Sequence, residues 1–166
     1  MTDVLLVADT HLGAGAASRL TDRIATELAV ADLVLHAGDI TDRTVLAALA
    51  DHAPVRAVKG NNDHGIDLPE RVVVSVEGCA FAIVHDSGPA TGRTARLRRW
   101  FPDADVVVFG HSHVPWHETD VRPDGHVQHH VNPGSAMLRR RAPTCTVAHV
   151  VVEGGHVETV RHVAVG

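Results

Sequence analysis

Five times along this chain a short apolar run stops abruptly at polar residues. Val4 to Ala8 ends at Asp9, and Leu33 to Leu35 leads into His36-Ala37-Gly38-Asp39. Val55 to Lys59 runs into Gly60-Asn61-Asn62-Asp63, Ala80 to Val84 ends at His85-Asp86, and Val106 to Phe109 ends at Gly110-His111-Ser112-His113. A segment that is apolar at every position, rather than at alternate ones, is what a strand covered on both faces requires. Such strands need layers on each side of their sheet, and their ends gather the polar residues that follow them.

The segments between the runs set the connectivity. Leu20, Ile24, Leu28 and Ala31 recur at helical spacing, with Ser18 or Thr21 available as N-cap, which predicts one helix from Ser18 to Ala31. Thr41 or Asp42 can cap a second helix reaching about Asp51. The resulting βαβαβ order predicts a parallel sheet with right-handed crossovers and a crevice at the carboxyl ends of its strands.

After Pro69 the pattern changes. Val72 to Val76 and Ala80 to Val84 flank Glu77-Gly78 as a hairpin, and Thr91 to Phe101 reads as helix. Trp116 to Val121 and Val127 to Val131 flank the turn Arg122-Pro123-Asp124-Gly125, while Thr144 to Val152 and Val157 to Val163 surround Glu153-Gly154-Gly155. The C-terminal half is therefore expected to be mostly antiparallel. With 166 residues and no repeat or long linker, the expectation is one α/β domain over residues 1–166, two β-sheets packed together and flanked by helices.

Composition excludes some partners. A net charge of −5 gives no electrostatic footprint for extended nucleic acid or an anionic membrane. No apolar stretch reaches the ~18 residues of a membrane span, and the N-terminus lacks a signal peptide's basic start. Cys79 and Cys145 form no C-x-x-C pair, so neither a disulfide framework nor a zinc ribbon is indicated and a cytoplasmic location is expected. A homo-oligomer is compatible with the sequence. What stands out is histidine, 14 residues against the single lysine Lys59.

Asp9, His11, Asp39, Asn61, His85, His111 and His113 all fall at strand ends, and from His11 onward the successive loops lie 22 to 28 residues apart, about one supersecondary unit each. Imidazole with carboxylate and amide suits divalent ions such as Mn, Fe, Ni or Zn, and the lack of thiolate argues against a structural zinc. Seven ligands exceed what one tetrahedral ion takes and suit two ions sharing a carboxylate. Such a pair, ~3.5–4 Å apart, acidifies water and clamps the oxygens of a phosphoryl group. Each piece alone is weak, since Asp-x-His arises often by chance and a lone His85 reads equally as a buried, hydrogen-bonded residue. The signal lies in five pieces in order.

Val7-Ala8-Asp9-Thr10-His11, His36-Ala37-Gly38-Asp39-Ile40, Val58-Lys59-Gly60-Asn61-Asn62-Asp63 and Phe109-Gly110-His111-Ser112-His113-Val114-Pro115 resemble the signature blocks of the calcineurin-like metallophosphoesterases. Asn132-Pro133-Gly134-Ser135 is similar to a block of their small bacterial and archaeal phosphodiesterase branch, and the resemblance spans nearly the whole chain. It implies a four-layer α/β/β/α sandwich of two mixed sheets. It further implies one divalent ion on Asp9, His11, Asp39 and His113 and another on Asp39, Asn61, His85 and His111, with manganese favoured, Asp39 bridging, and a bridging hydroxide attacking a small or nucleotide-like phosphoester.

Two positions depart from the family. Many members carry a histidine directly after the Asn ligand, whereas here Asn62 can donate a hydrogen bond but no proton, which favours phosphodiesters with good leaving groups. His85 is followed by Asp86 where the branch often has Gly; that carboxylate either orients the imidazole or is solvated. Asp63 is expected to orient His11 or its neighbours.

Other polar residues are set aside. His36 reads as a core histidine bonded to backbone, His64 as exposed, and His129 and His130 as pointing to opposite faces of a strand. Arg93, Arg96, Arg98 and Arg99 read as a solvated helix surface, Met137, Trp100 and Trp116 as core or interface. One of Arg139, Arg140 and Arg141 contacts a substrate anion if their turn lies beside the metals. The competing functions are a phosphomonoesterase and a binding scaffold, because the same fold serves as an interaction module in a eukaryotic retromer subunit.

Overall fold

The computed structural model describes residues 1–166. Ten strands and four short helices alternate as β1 (Thr2–Val7), α1 (Ala17–Arg23), α2 (Ala25–Leu28), β2 (Leu33–His36), α3 (Thr44–Ala50), β3 (Val55–Ala57), β4 (Arg71–Val76), β5 (Cys79–Val84), α4 (Arg93–Trp100), β6 (Val106–Val108), β7 (Trp116–Val121), β8 (Val127–Asn132), β9 (Thr146–Glu153) and β10 (His156–Ala164). They form two five-stranded sheets, ordered β10-β9-β1-β2-β3 and β4-β5-β6-β8-β7.

Side-chain alternation builds the layers. In β1, Val4 and Leu6 face the core between the sheets, while Leu5 and Val7 face a second core with Leu20 and Leu49 of the helices and Ile24 between α1 and α2. In β5, Phe81 and Ile83 face inward and Ala82 outward, onto Leu97 and Phe101 at α4. Both sheets are thus apolar on both faces, and the molecule is an α/β/β/α sandwich, as its uninterrupted apolar runs require.

Three details differ from the sequence reading. The helix expected from Ser18 to Ala31 is broken at Ile24, whose φ of −106° and ψ of 20° leave helical space, so α1 and α2 follow the sheet as two pieces. The strand expected to reach Lys59 closes at Ala57, because the Lys59 N–H is donated to Pro69 O at 2.8 Å instead of to the ladder. The C-terminal half is less antiparallel than expected. Its hairpins are antiparallel, yet β5 pairs β6 in parallel and β6 pairs β8 in parallel, since α4 and then β7 intervene as crossovers.

Of the set-aside groups, the α4 arginines land differently, while His36 is the expected core histidine bonded to backbone. The α4 arginines are anchored: Arg93 lies over the Phe109 and Trp116 rings, Arg96 donates to Ser87 O at 2.7 Å, and Arg98 pairs with Asp120, leaving Arg99 exposed. His36 is fully buried, accepting the Gly38 N–H on Nδ1 at 3.2 Å with Nε2 3.2 Å from the Thr10 hydroxyl. No helix is long and apolar enough to cross a membrane.

Candidate metal centre

Parallel strands β1, β2 and β3 of one sheet and β5 and β6 of the other all end at the same edge of the sandwich. The loops leaving those ends carry all seven residues singled out by the sequence, and the structure brings them together. Asp39 Oδ2 lies between the two halves of the group, 3.3 Å from His11 Nε2 and 3.5 Å from His85 Nε2. His113 Nε2 lies 3.2 Å from His11 Nε2 and 3.6 Å from Asp9 Oδ1. His85 Nε2 lies 2.9 Å from Asn61 Oδ1 and 3.3 Å from His111 Nδ1, which is itself 3.1 Å from that amide oxygen. Donor atoms of Asp9, His11 and His113, and those of Asp9, Asp39 and His85, each fall within 4.8 Å of one another. Asp9 therefore serves both triplets, which the sequence reading did not anticipate.

The protonation pattern follows from the outer partners. His85 Nδ1 lies 2.7 Å from Ala37 O and His113 Nδ1 2.5 Å from Leu138 O. A carbonyl only accepts, so each Nδ1 carries a proton and Nε2 is left to offer its lone pair to the centre. There those lone pairs meet carboxylate and amide oxygens and another imidazole. Asp9 Oδ2 is buried with no hydrogen-bond partner at all. Acceptors facing acceptors repel, and burying them unpaired is costly. A cation placed among them relieves both penalties, so the donor set fits divalent metal on this structure's own terms.

Electrostatics agree. Burial and the neighbouring charge of Asp39 push Asp9 up to about 8, against the opposing pull of the His111 N–H and Arg140. Burial also acts to raise Asp39, but the backbone and side-chain donors of Asn62, with His85 and His11, outweigh it and hold that carboxyl below its ordinary range. Burial lowers His11 and His113, keeping both imidazoles in the neutral form that ligates.

The backbone is bent to make these contacts. Asp9, His11, Asp39, His111 and His113 all lie in the left-handed region, with φ between 45° and 69°. Each such residue costs of order 1–3 kcal/mol and persists only where its surroundings over-determine it. Small residues make the room. A Cβ at Gly60 would lie 2.2 Å from the Asp39 nitrogen, and one at Gly110 2.8 Å from Asp9 Oδ2.

Asp63 is the main tie. Its buried carboxylate accepts four backbone N–H groups, those of Ile40 and Thr41 on Oδ1, both at 2.7 Å, and those of Asp39 at 3.0 Å and Gly60 at 2.7 Å on Oδ2. It fixes the Asp39 and Asn61 loops to each other, so of the two expected targets it orients the neighbours of His11 and not His11 itself. Asn62 donates its backbone N–H to Asp39 Oδ1 at 2.8 Å and its side-chain amide to Oδ2 at 2.7 Å, so it steadies the central carboxylate. Asp86 is exposed and accepts only the Gly88 N–H at 2.7 Å, so of its two readings the solvated one holds, and Ala37 O orients His85 instead.

Sequence reasoning noted Asn132 and Ser135 without a role. The Asn132 amide donates to Gly110 O at 2.9 Å and Ser112 Oγ at 3.0 Å, bracing the His111–His113 loop. The Ser135 hydroxyl donates to Asp9 O at 2.6 Å and accepts the Leu138 N–H at 2.8 Å, which places the carbonyl that holds His113. The signal for both was their turn-forming Asn-Pro-Gly-Ser block, but Gly110 lies 22 residues from Asn132 and Asp9 lies 126 from Ser135.

Comparison with known proteins agrees with this geometry. Residues 2–155 match the model of the calcineurin-like phosphoesterase superfamily domain. The chain is similar to a "Probable metallophosphoesterase" of Methanocaldococcus jannaschii, 33% identical over 67% of this chain and 58% of that one, and to another of Methanothermobacter thermautotrophicus, 32% identical over 67% and 66%. It thus spans about three fifths to two thirds of these relatives' length. Among solved structures it resembles a predicted phosphoesterase from Streptococcus pneumoniae (TM-score 0.75, 23% identity, 98% and 89% coverage). It also resembles zinc-complexed Vps29 from Entamoeba histolytica (0.69, 22%, 99% and 100%) and an archaeal phosphodiesterase (0.69, 18%, 98% and 99%), likenesses of fold. Since the family model covers all but the ends of the chain, the protein belongs to the calcineurin-like phosphoesterase superfamily.

Proposed function

We propose that the protein hydrolyses phosphodiesters, using two divalent ions held by Asp9, His11, Asp39 and His113 on one side and by Asp39, Asn61, His85 and His111 on the other. The observation that carries this is the convergence of the Nε2 atoms of His85 and His113, an unpartnered Asp9 oxygen and the Asn61 carbonyl on one small volume. Asp39, whose carboxylate lies within 3.5 Å of a histidine from each half, would be the residue shared between the two ions. When bound, the ions supply Lewis acidity and an acidified water for in-line attack at phosphorus. A nitrogen and oxygen donor set without thiolate favours manganese, with iron, nickel or zinc as competitors. Cys79 and Cys145 are buried, unpaired and away from the site, which supports a reducing, cytoplasmic setting.

The chain's own contribution is placement. Ala37 O and Leu138 O fix two imidazole tautomers, Asp63 fixes two loops, and Asn62 fixes the central carboxylate. Asn61 and His111 are exposed, so substrate approaches from their side. Asn62 is spent on Asp39 and carries no transferable proton, which supports diesters with good leaving groups over monoesters.

The test is hydrolysis of bis-para-nitrophenyl phosphate against para-nitrophenyl phosphate by EDTA-stripped protein reloaded with Mn, Ni, Co, Zn or Mg, with Asp39→Asn as control. Preference for the diester, restored by metal and lost in the variant, is expected. Full activity of Asp39→Asn sinks the dinuclear reading, and preference for the monoester reverses the substrate assignment. Metal uptake without hydrolysis of either ester would replace the enzyme by a scaffold.

A further inference from the structure

Two hollows adjoin the centre, and their charges differ. One, of about 410 Å³, borders Asn61 and His85 and sets Lys59 and Arg71 against Glu70 and Asp86, a balanced wall. The other, of about 440 Å³, borders His111 and is lined by Ser112, Val114, Arg140 and Arg141, with no acid in it. In a chain of net charge −5, a hollow of only cationic and neutral groups beside the metal centre is a local reversal.

Both arginines are uncommitted. Arg98, Arg122 and Arg161 face carboxylates, and Arg139 donates to Ala142 O at 3.1 Å, whereas the guanidinium groups of Arg140 and Arg141 make no ion pair or hydrogen bond within the protein. Arg140 also sits at φ 45°, a left-handed position unusual for a long side chain. Its turn is closed by the Ala142 N–H on Arg139 O at 2.8 Å and is rooted at Leu138, the residue whose carbonyl holds His113. Arg140 is near enough for its charge to act on Asp9, His11 and His113.

We propose that Arg140 and Arg141 form an anion subsite that takes a second phosphate, carried on one arm of the diester, while the uncharged arm lies in the hollow beside Lys59 and Arg71. This rests on the diesterase reading above and names its substrate class: an asymmetric phosphodiester with a further phosphate on one side. With divalent metal bound at the centre, the scissile group would need no help from these residues. A separate phosphate one hollow away would, and the planar guanidinium fork matches its oxygens.

Thymidine 5′-(4-nitrophenyl phosphate), with and without a 3′-phosphate, separates the possibilities on the Mn-loaded protein. The 3′-phosphate is expected to lower KM at least about tenfold, the worth of one or two charge-assisted hydrogen bonds. In R140A/R141A the two KM values should converge, and R140K/R141K, which keeps charge but loses the fork, should fall between. Thymidine 3′,5′-diphosphate binding by calorimetry gives a readout free of turnover and should weaken by the same factor, with Arg141→Gln as a milder variant if the double one misfolds. Equal KM for the two esters in the wild type, both being hydrolysed, overturns the subsite and leaves the diesterase standing. A KM ratio or diphosphate affinity unmoved by the substitutions overturns it as well. If neither ester is cleaved yet the diphosphate binds in an Arg140- and Arg141-dependent way, the subsite stands and the diesterase reading fails.

Discussion

Asp63 Oδ2 accepts the backbone N–H of Asp39 at 3.0 Å while the same oxygen accepts that of Gly60 at 2.7 Å, so one carboxylate fastens the loop of the central ligand to the loop of Asn61. With Ile40 and Thr41 on its other oxygen, Asp63 has no lone pair to spare for a substrate. Asp63→Asn keeps the shape but turns an NH₂ against two backbone donors. We expect a loss of about 1–3 kcal/mol in urea denaturation and a fall of about 10–100-fold in metal affinity by calorimetry. Unchanged affinity would mean the loops hold their shape without this tie.

Gly60→Ala probes the same junction from the backbone. The added Cβ would meet Asp39 Oδ1 at 2.3 Å and its nitrogen at 2.2 Å, contacts that only movement of the ligand loop can relieve. The variant should take up less metal at saturation and lose activity by more than tenfold. A strain of this kind typically costs 1–3 kcal/mol, a lowering of roughly 3–10 °C in Tm for a domain of this size.

The metal-free protein should show an unusual pH profile. Asp9 is raised from 3.8 to about 8, so the folded state holds a proton that the unfolded chain releases above its ordinary carboxyl value. Its contribution to stability is therefore full at low pH and declines between about pH 4 and 8, by at most about 1.4 kcal/mol per pH unit. His36 acts in the opposite sense: burial lowers it to about 4, so its share is intact above its ordinary value and is lost as pH falls toward 4. Denaturation of EDTA-treated wild type and Asp9→Asn at pH 5 to 8 isolates the first effect, because only the wild type should lose ground relative to the variant as pH rises. Manganese should reverse the trend, since ligation keeps Asp9 ionised. Parallel profiles with and without Asp9 would show that its carboxyl titrates normally.

The sandwich and the identity of the strand-end residues were readable because both depend on pattern. Doubly apolar runs such as Val4 to Ala8 announce two covered faces, and the polar residues that follow five of the strands gather at one edge. What the pattern could not carry is contact between distant backbones. Nothing near Ser135 announces that its hydroxyl reaches Asp9 O, or near Leu138 that its carbonyl sets the tautomer of His113. The left-handed φ of Asp9, His11, Asp39, His111 and His113 was equally hidden, since none is glycine and local preference disfavours it in each. The break at Ile24 and the parallel β6–β8 pair belong with these, being choices made by packing against a sheet.

Asn62 offers the sharpest test of mechanism. Its amide is committed to Asp39 Oδ2, and no proton can pass from it to a departing alkoxide. The wild type should therefore cleave diesters with a steep dependence on leaving-group pKa, fast for para-nitrophenyl and slow for phenyl. Asn62→His places an ionisable group at the same point while giving up one hydrogen bond to the central carboxylate. General acid catalysis contributes about 10²–10⁴-fold where the geometry is good, and we expect a gain toward the lower end on phenyl esters, with little or no gain on para-nitrophenyl esters. The variant should also acquire an alkaline limb in kcat, because an imidazole acts as acid only while protonated. A series of aryl thymidine phosphates, with kcat plotted against leaving-group pKa, reads the slope directly. If the two proteins give the same slope, leaving-group protonation comes from elsewhere in the site and Asn62 serves Asp39 alone.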